Sequence, residues 1–324
     1  MNAVRDLSLE AIQLQQDDRV LTATITNPPL NMANPLFLRE LEVLTKAVDR
    51  DPSVGAVVLT GGVEGRFLTH ADPSDIGAMA EMPHPYKLPM RLVEPGLRLF
   101  NVVLRLPGFS RAFERIGGPT GRGFVWGARW KRTVLRMNRS GAVYLAAING
   151  PALGGGQEIA LACDLRYAAD AAHVQFGQIE ILAGQIPGGG GTQRLPGLIG
   201  TGRALEHILE GAPIGAKEAL DLGLVHYLVA EHNLVAETQS TAARLAHRQP
   251  TAIAAAKRSI YFGTRGRSFS RGLDMELSGF VSGQMTRASA EALRTLNADI
   301  ARLSDSPFLA DPEPWIEGTR VKQT

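Results

Sequence analysis

The chain has 324 residues, 34 Lys+Arg against 32 Asp+Glu, a formal net charge of +2, and 44% hydrophobic and 20% charged residues. This is the composition of an ordinary globular protein, and the near-balanced charge excludes a chain-wide nucleic-acid binder, so no nucleic-acid partner is expected. A single cysteine, Cys163, excludes a disulfide framework and a multi-cysteine zinc site; the seven histidines lack metal-type spacing, and no metal site is expected. The opening MNAVRDLSLEAIQLQQDDRV has no apolar run of signal-peptide length, so a soluble, cytoplasmic protein is the expectation.

The first elements read as strand, turn, helix, strand. Val20–Thr26 is β-branched and alternating and stops at Asn27-Pro28-Pro29. Asn34-Pro35 supplies an N-cap with proline at the first helical position, and Leu38, Leu41, Leu44 and Val48 then recur on one helical face. Val54–Thr60 reads as a short buried strand.

The next stretch shows that the mean charge hides an asymmetry. Pro83–Arg139 holds twelve basic residues and two acids, Glu94 and Glu114, a local net charge of +10 that leaves −8 for the rest of the chain. Arg91, Arg98 and Arg105 are seven apart, as are Arg115, Arg122, Arg129 and Arg136, and Phe100, Phe109, Phe113, Phe124, Trp126 and Trp130 lie among them. Helical spacing aligns each set, while Pro107-Gly108 and Gly117-Gly118-Pro119 forbid one long helix.

Ala142–Ile148 reads as a second buried strand, followed by the turn Asn149-Gly150-Pro151, the run Gly154-Gly155-Gly156, a helix over Gln157–Ala162 and a strand near Cys163–Ala168. Val174–Arg194 is dense in glycine, as in loops that bring backbone close to a ligand. Beyond Thr201 the chain reads as helical, with Ala204, Leu205, Ile208 and Leu209 on one face and a further helix over Ala216–Leu222. The last 60 or so residues are Ala-, Leu- and Arg-rich helices.

Two carboxylates stand out. Glu158 lies three residues after Gly155, at the start of a helix whose free amides suit an anion, so an oxyanion donor and a carboxylate would face one pocket. The alternative is a tight turn with Glu158 as a solvated first-turn acid. Glu180 sits among Ile179, Ile181 and Leu182, where loss of solvent raises a carboxyl pKa towards the range of a general acid or base; an exposed acid on an edge loop is the other reading. A glycosidase pair or a metal site also uses two carboxylates, but neither accounts for the glycine-rich amides beside them. Cys163 follows an apolar run and reads as a buried structural thiol.

The run AAINGPALGGGQEIALACDLRYAADAAHVQFGQIEILAGQIPGGGGTQRL resembles the signature of the enoyl-CoA hydratase/isomerase (crotonase) superfamily. The similarity extends to NPPLNMAN at Asn27–Asn34, VGAVVLTGG, the pattern at Phe67–Asp72 and IGAKEALDLGLVHYLV, and covers most of residues 18 to 262. It implies an α/β fold, a crotonase-like spiral of ββα units over residues 1–262 with the basic, aromatic segment (about 83–135) as an insertion, and a helical C-terminal region, 263–324, that mediates trimers, often paired into hexamers. It implies acyl-CoA thioester substrates, with coenzyme A part of the substrate and no separate cofactor. The thioester carbonyl would be held by the backbone amides of Ala71 and Gly155, and Glu158 and Glu180 would be the catalytic pair. Both glutamates together favour hydration of a 2-enoyl-CoA; isomerisation, another enolate reaction and non-catalytic acyl-CoA binding are the alternatives. Met32, His70, Asp72, Gly154 and Pro151 fall at substrate-binding positions. The chain departs from the family pattern at His70 (usually Gly), at Ile179 (usually Pro), at Met32 (usually small) and in the insertion. For that insertion the options are a lid over the acyl chain, a dock for the CoA phosphates, an amphipathic contact with a membrane surface, or an Arg face covering neighbouring subunits' acids.

Overall fold

In the computed structural model, residues 4–74, 90–104, 106, 108–263, 273–274, 276–278, 280–281, 287–316 and 319–321 are described. Lys87, Arg105 and Pro107 of the basic segment lie outside them.

The chain opens with an antiparallel hairpin, β1 (Ile12–Asp17) and β2 (Val20–Ile25). The Asn34 side chain accepts the Phe37 amide at 2.9 Å and caps α1 (Pro35–Val48), whose expected apolar face is buried. β3 (Ala56–Gly61) follows. The basic segment forms three helices, α2 (Met90–Val103), α3 (Phe109–Ile116) and α4 (Gly118–Met137), with breaks at the glycines expected to break it. Then come β4 (Val143–Ile148), β5 (Ala152–Leu153), α5 (Gly155–Ala162), β6 (Leu165–Ala169), β7 (Gln175–Gly177) and a 3-10 turn, Ile179–Ala183. They lead to α6 (Gly191–Ile199), α7 (Thr201–Glu210), β8 (Ile214–Gly215), α8 (Ala216–Asp221) and β9 (Tyr227–Val229). Helices α9 (Leu234–Ala246), α10 (Pro250–Arg258) and α11 (Arg287–Leu303) complete the longer elements.

Two sheets form the framework. The larger runs β1-β2-β3-β4-β6-β9, parallel from β2 onward, and the smaller runs β5-β7-β8. Successive turns place one strand in the large sheet and a short strand in the small one before a helix closes the turn, as in β4–β5–α5. This is the α/β spiral implied by the resemblance. β3 and β4 read as continuous Val/Ala/Leu runs because both are buried strands of a parallel array, with α9 packed against them.

Several boundaries differ from expectation. Helix α5 begins at Gly155, not Gln157, because the glycines form its first turn. The Val174–Arg194 stretch is not one loop: it holds β7, the 3-10 turn and the start of α6. On α7, Ala204 is buried as expected, but Leu205 and Leu209 are 54% and 62% exposed.

The helical C-terminal region packs back on the spiral. Ala290, Leu293, Leu296, Phe308 and Trp315 join Leu153, Ile179 and Ala183 in one cluster. The basic segment also packs inward. α4 lies on α1, where Arg129 binds Glu42 at 2.8 Å and Arg136 lies 3.5 Å from Asp49. Among the described residues these arginines meet acids of their own chain. Arg122, one residue of the same sevenfold series, is exposed. No helix among the described residues is long and apolar enough to cross a membrane.

Candidate active site

The site is built where the first turns of the spiral touch. Leu68 bridges Ala152 in parallel, and Thr69 receives the Leu153 amide at 2.8 Å, so the strand-like Phe67–Ala71 runs beside β5. This sets Ala71 against the first residue of α5: a Cβ built on Gly155 would lie 3.4 Å from the Ala71 nitrogen. The first amides of a helix have no carbonyl to reach within it. The structure therefore brings together the two amides expected to face one oxygen.

Gly154, at φ +46°, turns the chain from β5 into α5 in a conformation that L side chains rarely adopt. A Cβ there would stand 2.9 Å from Glu180 Oε1, so this glycine also leaves room for the second carboxylate. The two glutamates thus flank the α5 N-terminus from different elements, Glu158 within α5 and Glu180 within the 3-10 turn.

Their surroundings differ. Glu158 is 3% exposed, and its Oε1 accepts the amides of Gly189 and Gly191, both at 2.8 Å. Burial pushes its pKa up to about 7, while those amides and the nearby Arg194 guanidinium pull the other way. Glu180 lacks the paired loop amides: its own backbone N–H lowers its pKa a little, and its Oε2 is enclosed without a hydrogen-bond partner among the described residues. Burial, then the charges of Glu158 and Glu276, push its pKa well above the usual carboxylate range. Of the two, Glu158 has the donors that favour its ionised form, and Glu180 the surroundings that favour its neutral form.

A pocket of about 430 Å³, open to solvent, reaches Glu180 and the amide pair, lined by His70, Ala71, Gly154, Gly155 and Glu180 at one end; Glu158 lies behind this lining rather than in it. Ile179, Ala183, Phe280, Leu293, Leu296 and Phe308 make its wall largely apolar, with Gln185 as a polar exception. His70 does not take up a left-handed backbone. Its ring is buried, donating from Nδ1 to the Ala71 carbonyl at 2.8 Å and accepting at Nε2 from the Ser306 hydroxyl at 3.2 Å. Burial lowers its pKa, which keeps the ring neutral. The other expected substrate-binding residues do not line this pocket. Asp72 accepts the Ser74 amide at 3.0 Å, Pro151 is buried, and the Met32 carbonyl accepts from Asn27 at 2.7 Å. Cys163 is buried, and burial raises its thiol to about 12, as befits a structural cysteine.

Three contributors carry no local motif. Trp130, from α4, is 1% exposed and donates Nε1–H to the Gly189 carbonyl at 3.1 Å. Gly189 must be glycine, because a Cβ there would come within 2.2 Å of Trp130 Nε1 and 2.4 Å of Glu158 Oε2. Arg194, in α6, is buried and donates from Nη2 to Asn138 Oδ1 at 2.7 Å. Glu276 comes from the C-terminal region, more than 80 residues beyond the loop it touches. The aromatic content of the basic segment hinted at Trp130, but no spacing in the sequence relates Glu276 to Glu158.

This fold and this disposition of amides and glutamates define an enzyme of the crotonase type. The chain belongs to the enoyl-CoA hydratase/isomerase family, whose model matches residues 127–296. It is similar to the short-chain-enoyl-CoA hydratase of Clostridium acetobutylicum, with 31% identity over 78% of this chain and 82% of the relative. It also matches an enoyl-CoA isomerase/hydratase of Mycosarcoma maydis, 45% identical over 41% of this chain and 47% of the relative. Among solved structures, the enoyl-CoA hydratase of Bacillus anthracis aligns with a TM-score of 0.61 at 27% identity, covering 92% of this chain and 98% of that one. The enoyl-CoA hydratase of Bacillus halodurans reaches 0.70 at 20% identity, a likeness of fold, covering 89% and 100%.

Proposed function

We propose that the protein is an enoyl-CoA hydratase, adding water across the double bond of a 2-enoyl-CoA thioester. The observation that carries this reading is geometric: two buried carboxyls flank one amide pair, Glu158 held by the Gly189 and Gly191 amides and Glu180 with an oxygen unpartnered among the described residues. In the proposed reaction Glu158 takes a proton from water as the water oxygen bonds to C3. The C2–C3 π electrons move into the thioester, whose oxygen becomes an enolate held by the amides of Ala71 and Gly155. Glu180 then gives its proton to C2. Water has added across the bond, and the proton on Glu158 returns to Glu180 through solvent. One oxyanion donor is worth about a hundred- to a thousandfold in rate, and a positioned acid or base about a hundred- to ten-thousandfold. Coenzyme A enters as part of the substrate, with no separate cofactor.

Glu158→Gln and Glu180→Gln are each expected to cut hydration of crotonyl-CoA and longer 2-enoyl-CoAs by about a hundredfold or more, with circular dichroism unchanged. Full activity in either variant overturns the assignment. If Glu158→Gln instead retains conversion of 3-enoyl- to 2-enoyl-CoA, the isomerase reading replaces it; absence of turnover on both substrate classes leaves a binding protein. A homotrimer or hexamer is part of the proposal, supported by the exposed Leu205 and Leu209 on α7 and measurable by sedimentation.

A further inference from the structure

Outside the pair of glutamates just described, a third buried carboxyl faces the same loop. Glu276 is 3% exposed, and its Oε2 accepts both the amide of Thr192, at 2.6 Å, and the Thr192 hydroxyl. The preceding residue, Gly191, gives its amide to Glu158. Consecutive amides of one short strap are therefore divided between two carboxyls, Gly191 to the α5 glutamate and Thr192 to the C-terminal one. Trp130 fixes the other end of the strap through the Gly189 carbonyl.

The segment bearing Glu276 is itself pinned. Two residues earlier, Asp274 pairs with Lys131 of α4, and Leu277 and Phe280 pack with Leu97, Phe124 and Ile186. The titratable groups facing Glu276 are Glu158 from α5, Glu180 from the 3-10 turn and Arg194 from α6, with Asp274 on its own segment engaged by Lys131.

We propose that Glu276 is a positioning residue, which through Thr192 fixes the Gly189 and Gly191 amides around Glu158 and so sets the geometry of the reaction's base. This rests on the hydratase reading for its effect on rate, but not for its effect on Glu158. Glu276 does this as a neutral acid. Burial and the neighbouring Glu158 charge push its pKa well above the usual range, and it is the uncharged group that fits beside an anion already matched to Arg194. Oε2 accepts both Thr192 bonds, and Oε1 is enclosed without a hydrogen-bond partner among the described residues.

The test uses the full chain with Glu276→Ala and Glu276→Gln. The reporters are the pH dependence of hydration and the 13C titration of the Glu158 carboxyl, assigned by its loss in Glu158→Gln. In Glu276→Ala the strap loses its anchor and Glu158 part of its amide support. The Glu158 titration moves up by about one pH unit, and kcat falls about ten- to a hundredfold with KM nearly unchanged. Glutamine still accepts from Thr192 and carries no charge, so Glu276→Gln restores both readouts to near the wild-type values. An unmoved Glu158 titration in a folded Glu276→Ala protein overturns the proposal, as does a Glu276→Gln protein as impaired as the alanine variant. Should Glu276→Ala not fold, Thr192→Val, which removes the hydroxyl donor alone, is expected to move the Glu158 titration the same way by less; no movement is the refuting result. If the wild type hydrates no enoyl-CoA, the hydratase reading fails, while the carboxyl titration still decides the role of Glu276.

Discussion

Glu158 and Glu180 are the same chemical group in two surroundings, and the difference lies in who donates to them. Two backbone amides and a guanidinium attend the first; the second lies against apolar side chains with an enclosed, unpartnered oxygen. In the proposed reaction that contrast separates base from acid without any difference in residue type. It also costs stability. Glu158 has a folded pKa of about 7 against 4.5 for the free group, so the folded state holds its proton more tightly. The contribution is absent below about pH 4.5. It becomes a destabilisation as pH rises from there to 7, reaching about 3 kcal/mol for a group this buried. Urea unfolding between pH 4.5 and 8 is expected to show stability falling with pH in the wild type. The fall should be shallower in Glu158→Gln, and equal slopes would show that the burial of this carboxyl has been overread. Most of the expected site was legible at this scale because its parts lie within a few residues of a turn: Gly155 and Glu158 on one helix start, Glu180 in an apolar run. Glu276 was not, because only tertiary packing brings it to the strap.

At the scale of elements, α4 shows what the sevenfold arginine spacing could and could not say. Spacing placed Arg115, Arg122, Arg129 and Arg136 in register, yet the glycine break puts the first on α3, and packing then gives the others different fates. Arg129 meets Glu42 of α1 and Arg136 meets Asp49 at its C-cap, whereas Arg122 stays in solvent. The helix instead serves the site through an uncharged residue. Trp130 is buried against the α5 N-terminus and holds the Gly189 carbonyl. Trp130→Phe is expected to cost about 1 kcal/mol for the lost hydrogen bond, and Trp130→Ala about 3 to 5 kcal/mol, as read by chemical denaturation. Both should slow hydration, because each frees the strap that carries the Glu158 donors. A phenylalanine variant with wild-type kcat would show that the indole nitrogen merely fills space.

For the whole molecule, the recurring strand-plus-helix units were readable from the local pattern, whereas the spiral followed only from the family resemblance. The closure of the pocket was not readable, because its wall is assembled from residues far apart in sequence, such as Ile179, Leu293 and Phe308. Leu293 lines that pocket and is 4% exposed. Leu293→Ala is expected to lower stability by about 2 to 5 kcal/mol. Each extra methylene accommodated is worth about 1 to 3 kcal/mol in a fitted pocket, so kcat/KM should shift towards longer or branched enoyl-CoAs. An unchanged chain-length profile would place the acyl group elsewhere.

The Ser306 hydroxyl reaches back to His70, and Phe308 lies edge-on to the same ring at 6.1 Å. Every element up to α10 thus already brings the two proposed catalytic carboxyls and the amide pair together, while Phe280, Leu293, Leu296 and Phe308, all later in the sequence, complete the pocket wall. A chain cut between α10 and α11 is therefore expected to keep the groups and lose the shelter, leaving them open to water.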